Sequence, residues 1–152
     1  MINTITVKGS VEQNYRTEIE CSHKLIIDQP KAAGGEDLGP NPLELFLSSL
    51  AACFCAVGKI ISNQNNLGVD GIHVTVEGDI DKKYLLGKTT EGRAGFTEIR
   101  SSITVHADDM SNKEKEDFVN EISRRCPVAD NIINTSKIVT STKHEGLMEE
   151  RV

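Results

Sequence analysis

The longest apolar pattern in the chain covers residues 41–66 and is typical of one long helix. Its large apolar residues recur at three- and four-residue steps, the period of a helical stripe; they are Leu43, Phe46, Leu47, Leu50, Phe54, Val57 and Ile61. Asn41 suits the N-cap, Pro42 the first helical position and Glu44 the third position of a capping box. Few polar side chains precede Lys59, so we expect both faces of this helix to contact protein.

Alternation of apolar and polar residues predicts strands on both sides of that helix. Two segments precede it, and the second is predicted to bend near Cys21. Two more follow it as an antiparallel hairpin with a long polar connection, and a last strand closes the fold. The predicted strands are 2–9, 15–20 with 23–28, 72–81, 96–106 and 137–142.

A second capping box, Ser111 with Glu114, opens a helix that should end near Arg125. Pro127 suits the first position of a short third helix, which makes Cys126 its N-cap. The segment 30–40 is rich in glycine and proline and predicts a loop, while 144–152 is a charged tail.

Composition limits the classes of protein that remain. A chain of 152 residues with 38% apolar and 26% charged residues fits one globular domain, 1–152. A net charge of −6 and a pI near 5.2 argue against general affinity for nucleic acid or an anionic membrane. Serine, glycine and lysine interrupt the apolar helix, so no membrane span is predicted. The N-terminus lacks a basic region followed by an apolar one, so no secretory signal is predicted. We therefore expect a cytoplasmic protein.

Four cysteines, Cys21, Cys53, Cys55 and Cys126, carry the candidate chemistry. Their spacing matches neither a Cys-x-x-Cys motif nor a zinc site, and the four histidines have no ligand-like spacing, so no metal site is predicted. Helical geometry turns Cys53 and Cys55 about 200° apart, which prevents a disulfide between them. Inert core thiols and a redox-active pair both remain open.

Two of these thiols have settings that could make them reactive. Cys126 at a helix N-terminus should have a lowered pKa, although it could also serve only as a cap. Cys53 needs a nearby cation to stabilise its thiolate. Arg16, paired with Glu44, could supply this cation if the strand and the helix meet. Taken singly, Arg16 fits a solvated strand charge and Glu44 fits a helix cap.

Two motifs carry a family resemblance. The run from Gly39 to Cys53, Gly-Pro-Asn-Pro-Leu-Glu-Leu-Phe-Leu-Ser-Ser-Leu-Ala-Ala-Cys, followed about seventy residues later by Cys126-Pro127-Val128, resembles the OsmC/Ohr superfamily of osmotically inducible and organic-hydroperoxide-resistance proteins. The resemblance implies an α+β fold: an intertwined homodimer with antiparallel sheets wrapped around two long central helices. It places the active sites at the subunit interface.

The resemblance also implies a thiol peroxidase that reduces organic hydroperoxides without a metal or an organic cofactor. Cys53 matches the peroxidatic cysteine and Cys126 the resolving one, and an external dithiol reduces the resulting disulfide. The family's glutamate position is Leu43 here, so Glu44 is shifted by one residue. Arg16 is the candidate for the family's arginine, and Lys31 is the alternative cation. Leu43 also motivates a second hypothesis, a non-catalytic binding or stress-accessory protein that kept the scaffold.

Overall fold

The computed structural model describes residues 2–142, and they form an α+β fold with two antiparallel sheets and three α-helices. The elements in chain order are β1 Lys8–Val11, β2 Thr17–Glu20, β3 Lys24–Ile27, a short 3₁₀ helix Lys31–Ala33, α1 Pro42–Asn65, β4 Gly71–Asp79, β5 Glu98–His106, α2 Asn112–Arg125 and α3 Pro127–Ile133.

The predicted capping box starts α1. The Asn41 side chain accepts hydrogen bonds from the backbone N–H groups of Leu43 and Glu44, at 3.0 and 3.1 Å. In return, the Glu44 carboxylate accepts one from the backbone N–H of Asn41 at 2.9 Å. The helix ends at Asn66, whose left-handed conformation (φ +51°) stops further helical turns. The prediction of one long helix over 41–66 is therefore confirmed.

The core lies where α1 packs against β4, α2 and α3. Its central side chains come from α1 and α2 together with the start and end of the hairpin. Gly58 of α1 allows the close approach: a Cβ built there would overlap Ile72 Cδ1 and lie 2.9 Å from Ile122 Cδ1. Ile122 of α2 is fully buried as a result. The buried core residues are Leu50, Phe54, Val57, Ile61, Val69, Val105, Ala107, Phe118, Ile122, Cys126 and Ala129.

The N-terminal sheet, in the order β1-β2-β3, packs on α1 far less than the hairpin does. Its strands are mostly exposed in the single chain. The loop that follows β3 folds around Asp28, whose carboxylate is 1% exposed and accepts backbone N–H groups of Gln29, Glu36 and Leu38 at 2.8 to 3.3 Å. Burial by itself raises the pKa of this carboxyl, but the hydrogen bonds together hold the pKa below its ordinary value.

Three strand predictions need correction. The first strand begins at Lys8, not at residue 2, because residues 2–7 have no strand beside them. Segments 15–20 and 23–28 form two paired strands, β2 and β3, joined by a turn at 21–23 and not one bent strand. Residues 137–142 form no strand, and the predicted tail 144–152 lies outside the described residues. Alternating sequence cannot make a strand without a partner edge.

The apolar character of α1 also exceeds the prediction. An 18-residue window of this helix has a mean hydropathy of 1.9, so the helix is long and apolar enough to span a membrane by length and composition alone. The inference that serine, glycine and lysine rule this out is therefore wrong. Packing of α1 against β4, α2 and α3 gives an ordinary reason for this composition, since core helices pass the same test.

Candidate active site

Cys53 packs against the buried cluster that contains Cys126, close enough for its thiol to shift the pKa of the Cys126 thiol, although the two residues are far apart in the chain. Cys53 is half-buried in the middle of α1, and Cys126 is 1% exposed between α2 and α3. Cys126 is the N-cap of α3, and its sulfur accepts a hydrogen bond from the backbone N–H of Ala129 at 3.4 Å. Both cysteines are free thiols. The geometry therefore combines one thiol that solvent can reach with one that is enclosed behind it.

The pKa of Cys126 is raised, which corrects the prediction of a lowered value. Burial is the largest cause, and the interaction with the Cys53 thiol adds to it. The backbone N–H groups of Ala129 and Val128 at the start of α3 do lower the pKa, as expected for a helix N-terminus, but they are outweighed. The N-cap was predictable from Pro127; the burial was not.

The other two cysteines lie elsewhere. The Cys55 thiol points towards the backbone oxygen of Ile72 in β4, at 3.9 Å, so it diverges from Cys53 as the helical geometry predicts. Cys21 is exposed in the turn between β2 and β3, and its sulfur donates to the carbonyl of His23 at 3.2 Å.

The single chain does not bring Arg16 and Glu44 together beside Cys53. The Arg16 guanidinium, just before β2, pairs with Glu18 of β2 at 2.8 Å, and both residues line a cavity of about 500 Å³ on the N-terminal sheet. Glu44 uses one carboxylate oxygen to cap α1. Lys31, the alternative cation, is exposed in the 3₁₀ helix. The catalytic roles of these residues stay predictions.

An aromatic pair on the Cys53 face of α1 was not predicted from the sequence. The rings of Phe46 and Phe96 stack with centroids 6.0 Å apart, and Phe46 is 41% exposed. Phe46 precedes Cys53 by seven residues, or about two helical turns, so both lie on one face of α1. The seven-residue spacing was visible in the sequence, but the partner Phe96 follows a long loop and was assigned only to a strand. This pair gives the face an apolar surface.

A metal centre finds no support in residues 2–142, where no group of three or more histidine, cysteine, aspartate or glutamate side chains converges. His73 and His106 form a pair on the outer face of the hairpin, where their rings meet edge to face with centroids 4.7 Å apart.

A family model described as OsmC-like protein matches residues 34–141, more than two thirds of the chain, including both clustered cysteines. The chain belongs to the OsmC-like family. A curated relative, the hydroperoxide reductase of Mycoplasma genitalium, is 28% identical over 98 residues, which are 64% of this chain. The match spans 65% of the length of that relative, less than two thirds of it.

Solved structures support the OsmC-like fold over most of the chain. The OsmC-like protein from Mycoplasma pneumoniae has a TM-score of 0.75 at 21% identity and covers 89% of this chain and 91% of its own. An organic hydroperoxide resistance protein from Legionella pneumophila has a TM-score of 0.64 at 23% identity, with coverages of 88% and 92%. The organic hydroperoxide resistance protein OhrB of Bacillus subtilis has a TM-score of 0.57 at 22% identity, covering 88% and 93%.

Proposed function

We propose that this OsmC-like protein is a thiol-dependent peroxidase that reduces organic hydroperoxides through Cys53, with Cys126 as the resolving thiol. The observation that carries the proposal is that a half-buried thiol, Cys53, packs against the same cluster as the buried thiol of Cys126 and influences its pKa. The hydroperoxide reductase of Mycoplasma genitalium adds support as a relative. The expected cytoplasmic location stays a prediction.

The reaction balances without a metal or an organic cofactor. The Cys53 thiolate attacks the terminal peroxide oxygen, the O–O bond breaks, and the alkoxide takes up a proton to leave as an alcohol while Cys53 becomes a sulfenic acid. The Cys126 sulfur then displaces the sulfenic oxygen as water, with its own proton, and forms a disulfide. An external dithiol supplies two electrons and two protons to restore both thiols.

The cation for the Cys53 thiolate is assigned to Arg16, oriented by Glu44, in an intertwined homodimer. A guanidinium can hold a carboxylate and a thiolate at once. Within one chain Arg16 directly precedes β2, in a sheet that packs little on α1, so a second copy is the natural source of this contact. Lys31 is the alternative cation.

The test is consumption of cumene hydroperoxide with dithiothreitol as the reductant. Cys53→Ser should abolish turnover. When dithiothreitol is left out, Cys126→Ser should undergo one oxidation and, with excess hydroperoxide, accumulate the sulfinic acid, detected by mass spectrometry, because the resolving thiol that would condense with the sulfenic acid is gone. Cys55→Ser is the matched control, since its thiol points towards β4, and it should keep full activity. Equal turnover in the Cys53 and Cys126 variants would reject the proposal.

A second candidate is a non-catalytic binding or stress-accessory protein on the same scaffold. Two observations favour it: Leu43 occupies the family's glutamate position, and Arg16 pairs with Glu18 in the single chain. This candidate requires Cys53 to oxidise slowly and unselectively. Rapid alkylation of Cys53 well below the reference thiol pKa of about 8.5 would exclude it.

A further inference from the structure

The connection between β4 and β5 contains a compact turn over residues 82–88, called the tip turn below. Backbone hydrogen bonds define it: the N–H groups of Leu86 and Lys88 donate to the carbonyl oxygens of Lys82 and Lys83, at 3.0 and 2.9 Å. Every residue of the tip turn is nevertheless exposed. Its shape is therefore set by the backbone and not by burial of its side chains.

The base of this connection is fixed on the body of the protein. The backbone N–H of Thr97 donates to the carbonyl oxygen of Asp79 at 2.8 Å, which closes the strand pair. The Phe96 ring covers Gly78 and stacks on Phe46 of α1. The two ends of the connection that carries the tip turn are therefore held in place by the hairpin and by α1.

Three successive apolar side chains of the tip turn face solvent. Tyr84, Leu85 and Leu86 are 42%, 61% and 60% exposed. The strands on either side behave differently, since Val74 and Ile103 alternate with polar residues and pack against the core. Clustered exposed apolar side chains on a soluble domain commonly mark a surface that something else covers.

Cations flank those apolar side chains along the sequence. Between residues 82 and 95 the only carboxylate is Glu91. Of the cations in this connection, only Lys83 has an ion-pair partner among the described residues. That partner is Asp81 at 3.8 Å, and both side chains are largely exposed. The cations are Lys82, Lys83, Lys88 and Arg93. By contrast, Arg100 at the base of the hairpin is surrounded by carboxylates.

This combination fits an anionic lipid surface better than a protein partner. A stable protein interface takes about 20 to 30 residues from each side, which a single convex turn does not offer. Interfacial insertion into a bilayer needs only a few apolar side chains with cations around them. The net charge of −6 does not prevent this, because charges more than about 8 Å from the surface are screened at physiological salt.

We propose that the tip turn docks reversibly onto anionic phospholipid membranes. The side chains of Tyr84, Leu85 and Leu86 enter the boundary between headgroups and acyl chains, and the surrounding lysines and Arg93 contact lipid phosphates. This inference is independent of the proposed peroxidase reaction.

The experiment is co-sedimentation of the full chain with vesicles of phosphatidylglycerol and phosphatidylcholine, and with vesicles of phosphatidylcholine alone. We expect binding to the anionic vesicles that weakens with added salt. Leu85→Ser with Leu86→Ser should lower the partition coefficient about tenfold or more, and Lys82→Gln with Lys83→Gln by a similar factor. The matched control, Lys113→Gln with Lys115→Gln, removes the same charge from α2 and should bind like the parent protein.

Three outcomes would overturn the proposal. One is equal binding of the parent protein and both tip-turn variants, which would place the contact elsewhere. Another is the absence of vesicle binding at low salt, which would indicate that the tip turn binds a protein and not a membrane. The third is a changed molar mass of the tip-turn variants in light scattering, since a second copy of the chain would then cover the turn. Circular dichroism melting checks that the variants fold.

Discussion

At the scale of single residues, the two adjacent thiols differ in solvent access and should therefore differ in reactivity. With Cys21→Ser and Cys55→Ser removing the other thiols, we predict that limiting iodoacetamide modifies Cys53 before Cys126, by a factor on the order of ten. Burial and the neighbouring thiol both raise the pKa of Cys126 and disfavour its thiolate. Peptide mapping after graded labelling at several pH values measures this order.

A control for that experiment is labelling in denaturant, where the two rates should converge because burial is lost. Cys53→Ala should shift the labelling of Cys126 to lower pH, since the neighbouring thiol contributes to the raised pKa. Faster labelling of Cys126 than of Cys53 in the folded protein would contradict the assignment of Cys53 as the attacking thiol.

Asp28 should contribute stability that disappears in acid. Its folded pKa lies below the ordinary value of 3.8, so the contribution is present above that pH and is lost as pH falls through the folded pKa. Asp28→Asn should lower the unfolding midpoint at pH 7, because the amide NH₂ meets backbone N–H groups that need an acceptor. It should also flatten the acid dependence of stability.

Thermal melts between pH 2.5 and 7 test the Asp28 prediction. Asp108→Asn is the control, because that carboxylate is exposed after β5. Equal acid dependence in the parent protein and Asp28→Asn would show that the loop around Asp28 does not depend on its charge.

Much of the residue-scale chemistry depended on burial, which local sequence does not encode. The helix N-cap at Cys126 followed from Pro127, yet the sign of its pKa shift came from packing of α3 against α1. The closeness of Cys53 and Cys126 was expected only through the family resemblance. Asp28 was assigned to a strand end, because its acceptor role depends on the course of the following loop.

At the scale of elements, Gly58 decides how closely α1 approaches its neighbours. Gly58→Ala gains about 1 kcal/mol of helix propensity but overpacks Ile72 and Ile122, at a cost of about 1 to 3 kcal/mol. We predict a net destabilisation of about 1 kcal/mol, seen as a Tm lower by about 2 to 4 °C.

Gly68→Ala is the matched control for Gly58. Its added Cβ would have only Asp109 Oδ2 nearby, at 3.9 Å, so its Tm should stay unchanged or rise slightly. Combining Gly58→Ala with Ile122→Val removes one methyl group that the added Cβ would meet. The loss of stability in the double variant should therefore be smaller than the sum of the losses in the two single variants. Strict additivity would mean that the contact seen at Gly58 does not limit packing.

Glu44 belongs to the first turn of α1, where a capping role and a catalytic role can be separated. Glu44→Gln keeps an oxygen that can accept the Asn41 N–H, so stability should change little. If Glu44 orients the cation of the active site, kcat/KM should fall on the order of tenfold to a hundredfold. Unchanged kcat/KM with cumene hydroperoxide would limit Glu44 to capping.

The helices were predictable because their signals are local. Capping boxes at Asn41 and Ser111 and the Cys-Pro start of α3 are all present where the sequence placed them. The strands were less predictable from the sequence than the helices, because strand pairing depends on segments that are distant in the chain. Residues 2–7 and 137–142 are rich in β-branched residues, as β4 and β5 are, but lack a neighbouring strand in the described chain.

At the scale of the whole molecule, one chain leaves a run of apolar side chains exposed at its N-terminal end. Ile2, Ile5, Val7 and Val11 are each more than half exposed, and the strands that follow pack little on α1. The exposed face of α1, with Phe46, adds to this surface. An exposed apolar surface of this kind is typical of an interaction site, and the family resemblance predicts that a second copy of the chain covers it in an intertwined homodimer.

We therefore predict a homodimer with a molar mass about twice the 16.6 kDa of the chain, measurable by light scattering after size exclusion. Ile5→Asp with Val7→Asp should raise the dimer dissociation constant about a hundredfold or more, because two apolar side chains would lose their cover and two charges would be buried. Thr4→Asp with Thr6→Asp adds the same charge to the same segment without removing an apolar side chain and should weaken the dimer less. The double substitution at Ile5 and Val7 should also lower peroxidase activity in parallel with dimer loss, since the proposed Arg16 contact comes from the second copy. A monomeric parent protein at micromolar concentration, or full activity in dissociated protein, would contradict both the assembly and the shared site.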